Sequence, residues 1–229
     1  MEHHYFFLNE ILGAFGLKHF AHDYQNVIHS WLVMLIMIVG ALFLARGIQM
    51  LPRKGQNFLE FIVESLENFM VDLTGPEGRA FFPFIATIFL YIFVCNLIGL
   101  VPGFFSPTAN YNTTLSMAIC TFILTHSIGI KFHGAKYIKH FLGPSWALAP
   151  LFFIIELISH FARVLSLSVR LFGNIFGKEK VLGILFGLWG LYLAPLPMLF
   201  LGVLVSFIQA VVFMLLSIVY FSIAMEEAH

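Results

Sequence analysis

The chain has 229 residues, 60% of them hydrophobic and only 10% charged, with 28 Phe and a mean hydropathy of +0.92. Soluble domains carry roughly a quarter charged residues, so the composition excludes an ordinary water-soluble fold and points to an all-α polytopic membrane protein. The 12 Lys+Arg balance the 12 Asp+Glu, which removes the basic field of a nucleic-acid binder, and the 2 Cys, both in apolar runs, form neither a disulfide framework nor a zinc cluster.

Residues 1–26 include Glu10, Lys18, His19, His22 and Asp23 and are predicted to lie outside the hydrocarbon, on the outer side. With no basic n-region ahead of it and no cleavage pattern after it, the first apolar run is expected to be retained as a helix over 27–45. Arg46, Arg53 and Lys54 follow it, and Lys131, Lys136 and Lys139 form a second basic cluster; the positive-inside rule puts both loops in the cytoplasm. Between them, 56–73 spaces Phe58, Phe61, Ile62, Leu66, Phe69 and Leu73 at three- and four-residue intervals, with Glu60, Glu64, Glu67 and Asp72 elsewhere. That pattern predicts an interfacial amphipathic helix lying on the membrane or on a partner.

Residues 80–130 and 181–225 contain no Asp, Glu, Lys or Arg, and each run is long enough for two crossings of about 20 residues. Helices over 81–101 and 113–130 are predicted as a hairpin whose turn, at Pro102-Gly103 and Ser106-Pro107, faces outside, with Asn112 as a possible cap of the second. After Gly143-Pro144 a helix runs over 146–176 and extends toward 188; at 1.5 Å per residue its first part alone reaches roughly 45 Å, which predicts strong tilt in a core of roughly 30 Å. Gly187, Gly190, Pro195 and Pro197 break the next apolar stretch, and a last helix spans 198–225 before Glu226-Glu227. One membrane domain over 1–229, with five crossings, places the N-terminus outside and the C-terminus in the cytoplasm.

Projected at about 100° per residue, Glu156, Ser159, Arg163, Ser166 and Asn174 fall within roughly 40° either side of Arg170. A guanidinium at membrane depth costs on the order of 2.5–3.5 kcal/mol on insertion scales and stays protonated, so it needs a carboxylate or water. Beyond Glu156 and Glu179 the membrane segments offer no carboxylate, and a partner for Arg170 is expected from another subunit. A purely structural reading, with Glu156 paired to Arg163 two turns away, stays open beside the functional one. Gly202, Ser206, Gln209, Ser217 and Tyr220 form a milder polar face on the last helix, and the two faces together are candidates to line a hydrated path. His126, His133, His140 and His160 read as scattered, with His160 about 80° from Arg170 as a packing or interface residue. His3 with His4 and His19 with His22 read as a solvated tail; no metal site, cofactor or catalytic nucleophile is predicted.

The run Ser166-Leu167-Ser168-Val169-Arg170-Leu171-Phe172-Gly173-Asn174, followed by Glu179, resembles the signature of subunit a of the bacterial F-type ATP synthase. The stretch from Gln209 through Val211, Phe213 and Ser217 to Tyr220 resembles that family's second motif, and the likeness extends to Asn96 through Pro102 and Asn112 through Ala118. The resemblance implies a non-catalytic ion-translocating stator, with the last two membrane helices forming a tilted hairpin against a ring of c subunits. It also implies subunit b of the peripheral stalk and the rest of the complex as partners, with the bacterial inner membrane as location. Arg170 is then the residue that separates two offset half-channels. Asn174, Glu179 and Gln209 match the outer path or the surroundings of the Arg, and Glu156 and Ser159 match the cytoplasmic path.

The chain departs from a common bacterial pattern in carrying Gly202 where many members have His and Lys178 where Gly is common. The expectation is that Lys178 fills the space left at Gly202 and pairs with Glu179, or else snorkels to the outer interface. A stand-alone transporter or channel binding a small ion at Arg170 is the alternative, though no internal repeat of the kind such transporters show is visible.

Overall fold

The computed structural model describes residues 24–46, 54–101, 103–134, 137, 149–189 and 195–226. Six α-helices follow in chain order: α1 Gln25–Arg46, α2 Lys54–Thr74, α3 Phe82–Ile98, α4 Tyr111–His133, α5 Ala149–Trp189 and α6 Pro195–Met225, with 3-10 turns at Pro76–Phe81 and Pro107–Ala109. No strand occurs among the described residues. Helices satisfy every backbone donor and acceptor internally, which hydrocarbon demands. Five segments are long and apolar enough to cross a membrane, in α1, α3 with its leading turn, α4, α5 and α6; α2, with its four acidic residues, is not among them.

Helix α6 is the centre of the bundle, packing on α3, α4 and α5, while α4 also lies along α5. Phe213, Ile218 and Phe221 of α6 meet Ile85 and Ile92 of α3 and Leu171 and Ile175 of α5 in a fully buried core. Between helices in lipid, close packing supplies the attraction, because the tails are as apolar as the side chains. Helix α2 joins the core through Met70, and Ser222 Oγ donates to Leu73 O at 2.9 Å. Trp31 and Phe43 of α1, Phe161 of α5 and Phe200 of α6 stand outward, as lipid-facing side chains do.

The boundaries differ from the sequence expectation for local reasons. Helix α3 stops at Ile98, three residues before the expected 101, because Leu100 and Val101 turn back to Leu97 O and Ile98 O ahead of Pro102. Helix α4 begins at Tyr111 and is capped by Asn110, whose side chain accepts from Asn112 N at 2.9 Å; Asn112, the expected cap, is already helical. It ends at Gly134, whose φ of 54° is a conformation L side chains rarely adopt. Gly187 does not interrupt α5, and Pro195 and Pro197 open α6, where the first turn needs no donor from proline. The expectations for 1–23, for Arg53, Lys136 and Lys139, for 146–148, for Gly190 and for Glu227 fall outside the described residues.

Candidate functional site

Helix α5 is unbroken over 41 residues, so at 1.5 Å per residue it is about 60 Å long and holds its polar groups at fixed heights. Arg170 lies mid-helix. Glu156 and His160 precede it by about 21 Å and 15 Å of rise, and Glu179 follows it by about 13 Å. Arg170 is exposed, and no residue of the described chain hydrogen-bonds or ion-pairs with it. Its neighbours on that surface are Val169, Ser166, Gly173, Asn174 and Gly177, all exposed. A Cβ built at Gly173 or Gly177 meets no atom within 4 Å, so the face is open as well as small.

One turn beyond Arg170, Asn174 Nδ2 donates to Gln209 Oε1 of α6 at 2.7 Å, bringing together two residues 35 apart in sequence. Lys178 is only 5% exposed and reaches between α3 and α6, donating to Asn96 O at 3.1 Å and Ser206 Oγ at 3.0 Å. A Cβ on Gly202 would stand 2.6 Å from Leu100 Cδ2 and 3.4 Å from the Lys178 Cδ, so Leu100 takes up the space left by that glycine and the lysine stem runs beside it. The expected pairing with Glu179 is absent: consecutive helix residues point about 100° apart, and no Lys178–Glu179 ion pair occurs among the described residues. Snorkelling is equally absent, because the ammonium finds a carbonyl and a hydroxyl inside the bundle.

Glu179 projects about 180° from Arg170 and turns instead to the loop between α3 and α4, where Ser106 N donates to its Oε1 at 2.7 Å. Gly99 permits this approach, since a Cβ there would stand 2.5 Å from Ser106 Cβ and 2.9 Å from Glu179 Oε1. Behind the loop, Ser106 Oγ donates to Cys95 O at 2.8 Å, and Thr108 Oγ1 donates to Asn96 Oδ1 at 2.5 Å. Two cavities open here. One of about 250 Å³ is lined by Glu179, Lys180, Gly99, Phe104 and Phe176. Another of about 270 Å³, between α5 and α6, is lined by Asn174, Gly177, Lys178 and Gly202. Each is roomy enough for several waters, whose share of liquid volume is about 30 Å³ apiece.

At the other end of α5, Glu156 does not meet Arg163. His160 Nε2 lies 3.2 Å from Glu156 Oε1, and the Arg163 guanidinium sits over the Tyr220 ring, 5.6 Å from its centroid. Ser159 is half-buried on the same stretch. His126 and His160, which read as scattered, stand together with ring centroids 4.8 Å apart. The polar face of α6 is largely packed inside the bundle: Ser206, Gln209 and Ser217 are buried, and Ser217 Oγ donates to Phe213 O. Asn96, Ser106 and Thr108 went unassigned on sequence; a buried Asn in an otherwise apolar span was the available signal for the first.

Five apolar spans, an exposed arginine midway along α5 and cavities that reach its Glu179, Asn174 and Lys178 define a multi-pass membrane protein with ionisable groups placed within its spans. Residues 27–222 match the ATP synthase A chain family, and the chain belongs to it. It is 57% identical over its full length, and over the full length of the relative, to ATP synthase subunit a of Desulfosudis oleivorans. It is 52% identical to the Syntrophobacter fumaroxidans subunit, again covering both chains fully. The Geotalea daltonii subunit is 50% identical over 97% of this chain and 96% of its own.

Proposed function

We propose that this chain is the ion-translocating stator of a rotary ATP synthase, carrying protons through two offset half-channels to carboxylates on a ring of c subunits. The observation that carries the reading is Arg170: an exposed, unpartnered guanidinium on a surface of small residues at membrane depth. Removing one partner from a buried charge pair leaves a costly orphan, so this cation calls for a carboxylate from outside the chain. Glycines at 173 and 177 let a neighbouring helix approach closely.

The guanidinium cannot release its proton, and beside a ring carboxylate it favours the ionised form. It therefore makes each arriving carboxylic acid release its proton into the adjoining half-channel and blocks a direct leak between the two. The cavities at Glu179 and at Asn174, Lys178 and Gly202 support an outer path, with Gln209 holding Asn174. Glu156 and Ser159, on the opposite side of Arg170 along α5, support a cytoplasmic path. The helix length supports a strongly tilted α5, since about 60 Å of helix exceeds a core of roughly 30 Å. Each elementary charge crossing 100 mV supplies about 2.3 kcal/mol to rotation. ATP chemistry belongs to other subunits, and subunit b of the peripheral stalk holds this chain against the turning ring.

Arg170→Ala in the whole complex is expected to abolish ATP-driven proton pumping while the complex still assembles. Normal coupled pumping in that variant rejects the assignment. An ion site inside a stand-alone transporter would enclose its arginine, whereas Arg170 lies on the outside of the bundle.

A further inference from the structure

Four titratable side chains converge where α4, the residue Tyr137 beyond it, and the first half of α5 meet. His126 Nδ1 is 2.8 Å from the Tyr137 hydroxyl, and the Phe122 ring braces His126 edge-on at 4.2 Å between centroids. His160 stacks at a tilt against His126 and lies 3.2 Å from Glu156, as described. The seat for Tyr137 is built into α4: a Cβ on Gly129 would come within 2.3 Å of the tyrosine ring, so only glycine leaves room for it. Burial pushes the Tyr137 phenol pKa up, with Glu156 adding to the shift and Arg163 opposing it, so the hydroxyl stays protonated and available to the imidazole.

Beside the histidines, Thr121, Thr125, His160, Arg163 and Tyr220 line a small cavity of about 20 Å³ together with the apolar side chains of Phe122, Val164 and Leu167, so its wall is mainly apolar. The hydroxyls of Thr121 and Thr125 donate to Met117 O and Thr121 O within α4.

We propose that His160, with His126 behind it, is a proton-carrying station of the cytoplasmic half-channel, exchanging protons with Glu156. The inference rests on the stator reading and extends it to residues that the family resemblance did not assign. Histidine suits the task because its charge changes between pH 5 and 8, and its two ring nitrogens can take up a proton on one side and release it on the other. In the step itself the proton on His160 Nε2 passes to Glu156 Oε1, leaving a neutral imidazole and a carboxylic acid, and the reverse transfer restores imidazolium and carboxylate. The charged groups facing the pair are Glu156 and Arg163 from α5; α4 contributes His126, the following segment Tyr137, and α6 the Tyr220 phenol.

The test uses the intact complex in inverted membrane vesicles, whose cytoplasmic face is outward, and reads the initial rate of ATP-driven pumping per assembled complex against external pH. For His160→Gln the rate is expected to fall several-fold and the near-neutral limb of the profile to move by about one unit. His126→Gln, at a half-buried position, is expected to move the same limb less, and Glu156→Gln combined with His160→Gln to add little to either alone. Profiles superimposable on the unaltered protein in both histidine variants overturn the proposal. Arg170→Ala run in parallel separates the two ideas: pumping lost there with unchanged histidine profiles rejects the station alone, and pumping kept there rejects the stator reading.

Discussion

Arg170 stands exposed on α5 with no partner in its own chain, whereas Lys178, two turns further on, is buried and bonded to α3 and α6. Both are basic side chains within α5, yet the first turns its charge outward and the second satisfies its charge inside the bundle. A buried ammonium donates up to three hydrogen bonds, and two are visible here. Removing it empties the space beside Gly202 and frees Asn96 O and Ser206 Oγ to take up water. Lys178→Ala is therefore expected to lower the pumping rate and alter its pH profile through the outer half-channel. An unchanged uptake rate and profile would confine Lys178 to packing.

At the scale of elements, α5 carries different chemistry on each side. Its face toward the small-residue surface holds Arg170 and Gly177, its α6 side holds Asn174 and Lys178, and the side away from Arg170 holds Glu179 against Ser106. A Cβ on Gly177 meets nothing within 4 Å, so a larger residue there leaves the fold of this chain undisturbed. On the stator reading it obstructs the ring helix that approaches Arg170. Gly177→Leu is expected to insert into the membrane at normal levels and to lose most proton pumping in the complex; full pumping would place the ring elsewhere. The polar period of α5 was readable in the sequence because helix geometry alone sets which residues share a face. That Glu179 turns its back on Arg170 follows from the same projection, but its partner does not: Ser106 lies 73 residues away, and only the return of the loop under Gly99 brings it within reach.

At the scale of the whole molecule, the stator reading leaves the ion path incomplete within this chain, because Arg170 faces outward. Purified alone into liposomes, the protein is expected to show no coupled ion or solute transport, and to transport only with its ring and peripheral stalk. Solo transport of a solute would overturn the stator reading. Helix α6 is central because it presents Phe213, Ile218 and Phe221 to the core shared with α3, α4 and α5, while Asn174 and Arg163 of α5 reach its Gln209 and Tyr220 and Arg170 stays outside the bundle.

Composition and periodicity by themselves determined the five apolar spans, the amphipathic α2 and the polar face around Arg170, and contiguous motifs carried the resemblance to the family. Each depends on local quantities: hydropathy over about 20 residues, a period of 3.6, and contiguous motifs. Tertiary structure decided which polar groups meet. Glu156 joins His160 rather than Arg163, Lys178 joins Asn96 and Ser206 rather than Glu179, and His126 joins Tyr137 and His160 rather than standing apart. In a dry interior a polar group takes whichever partner the packing of helices brings within about 3 Å. That choice depends on helix contacts between residues far apart in the chain, which no local pattern encodes.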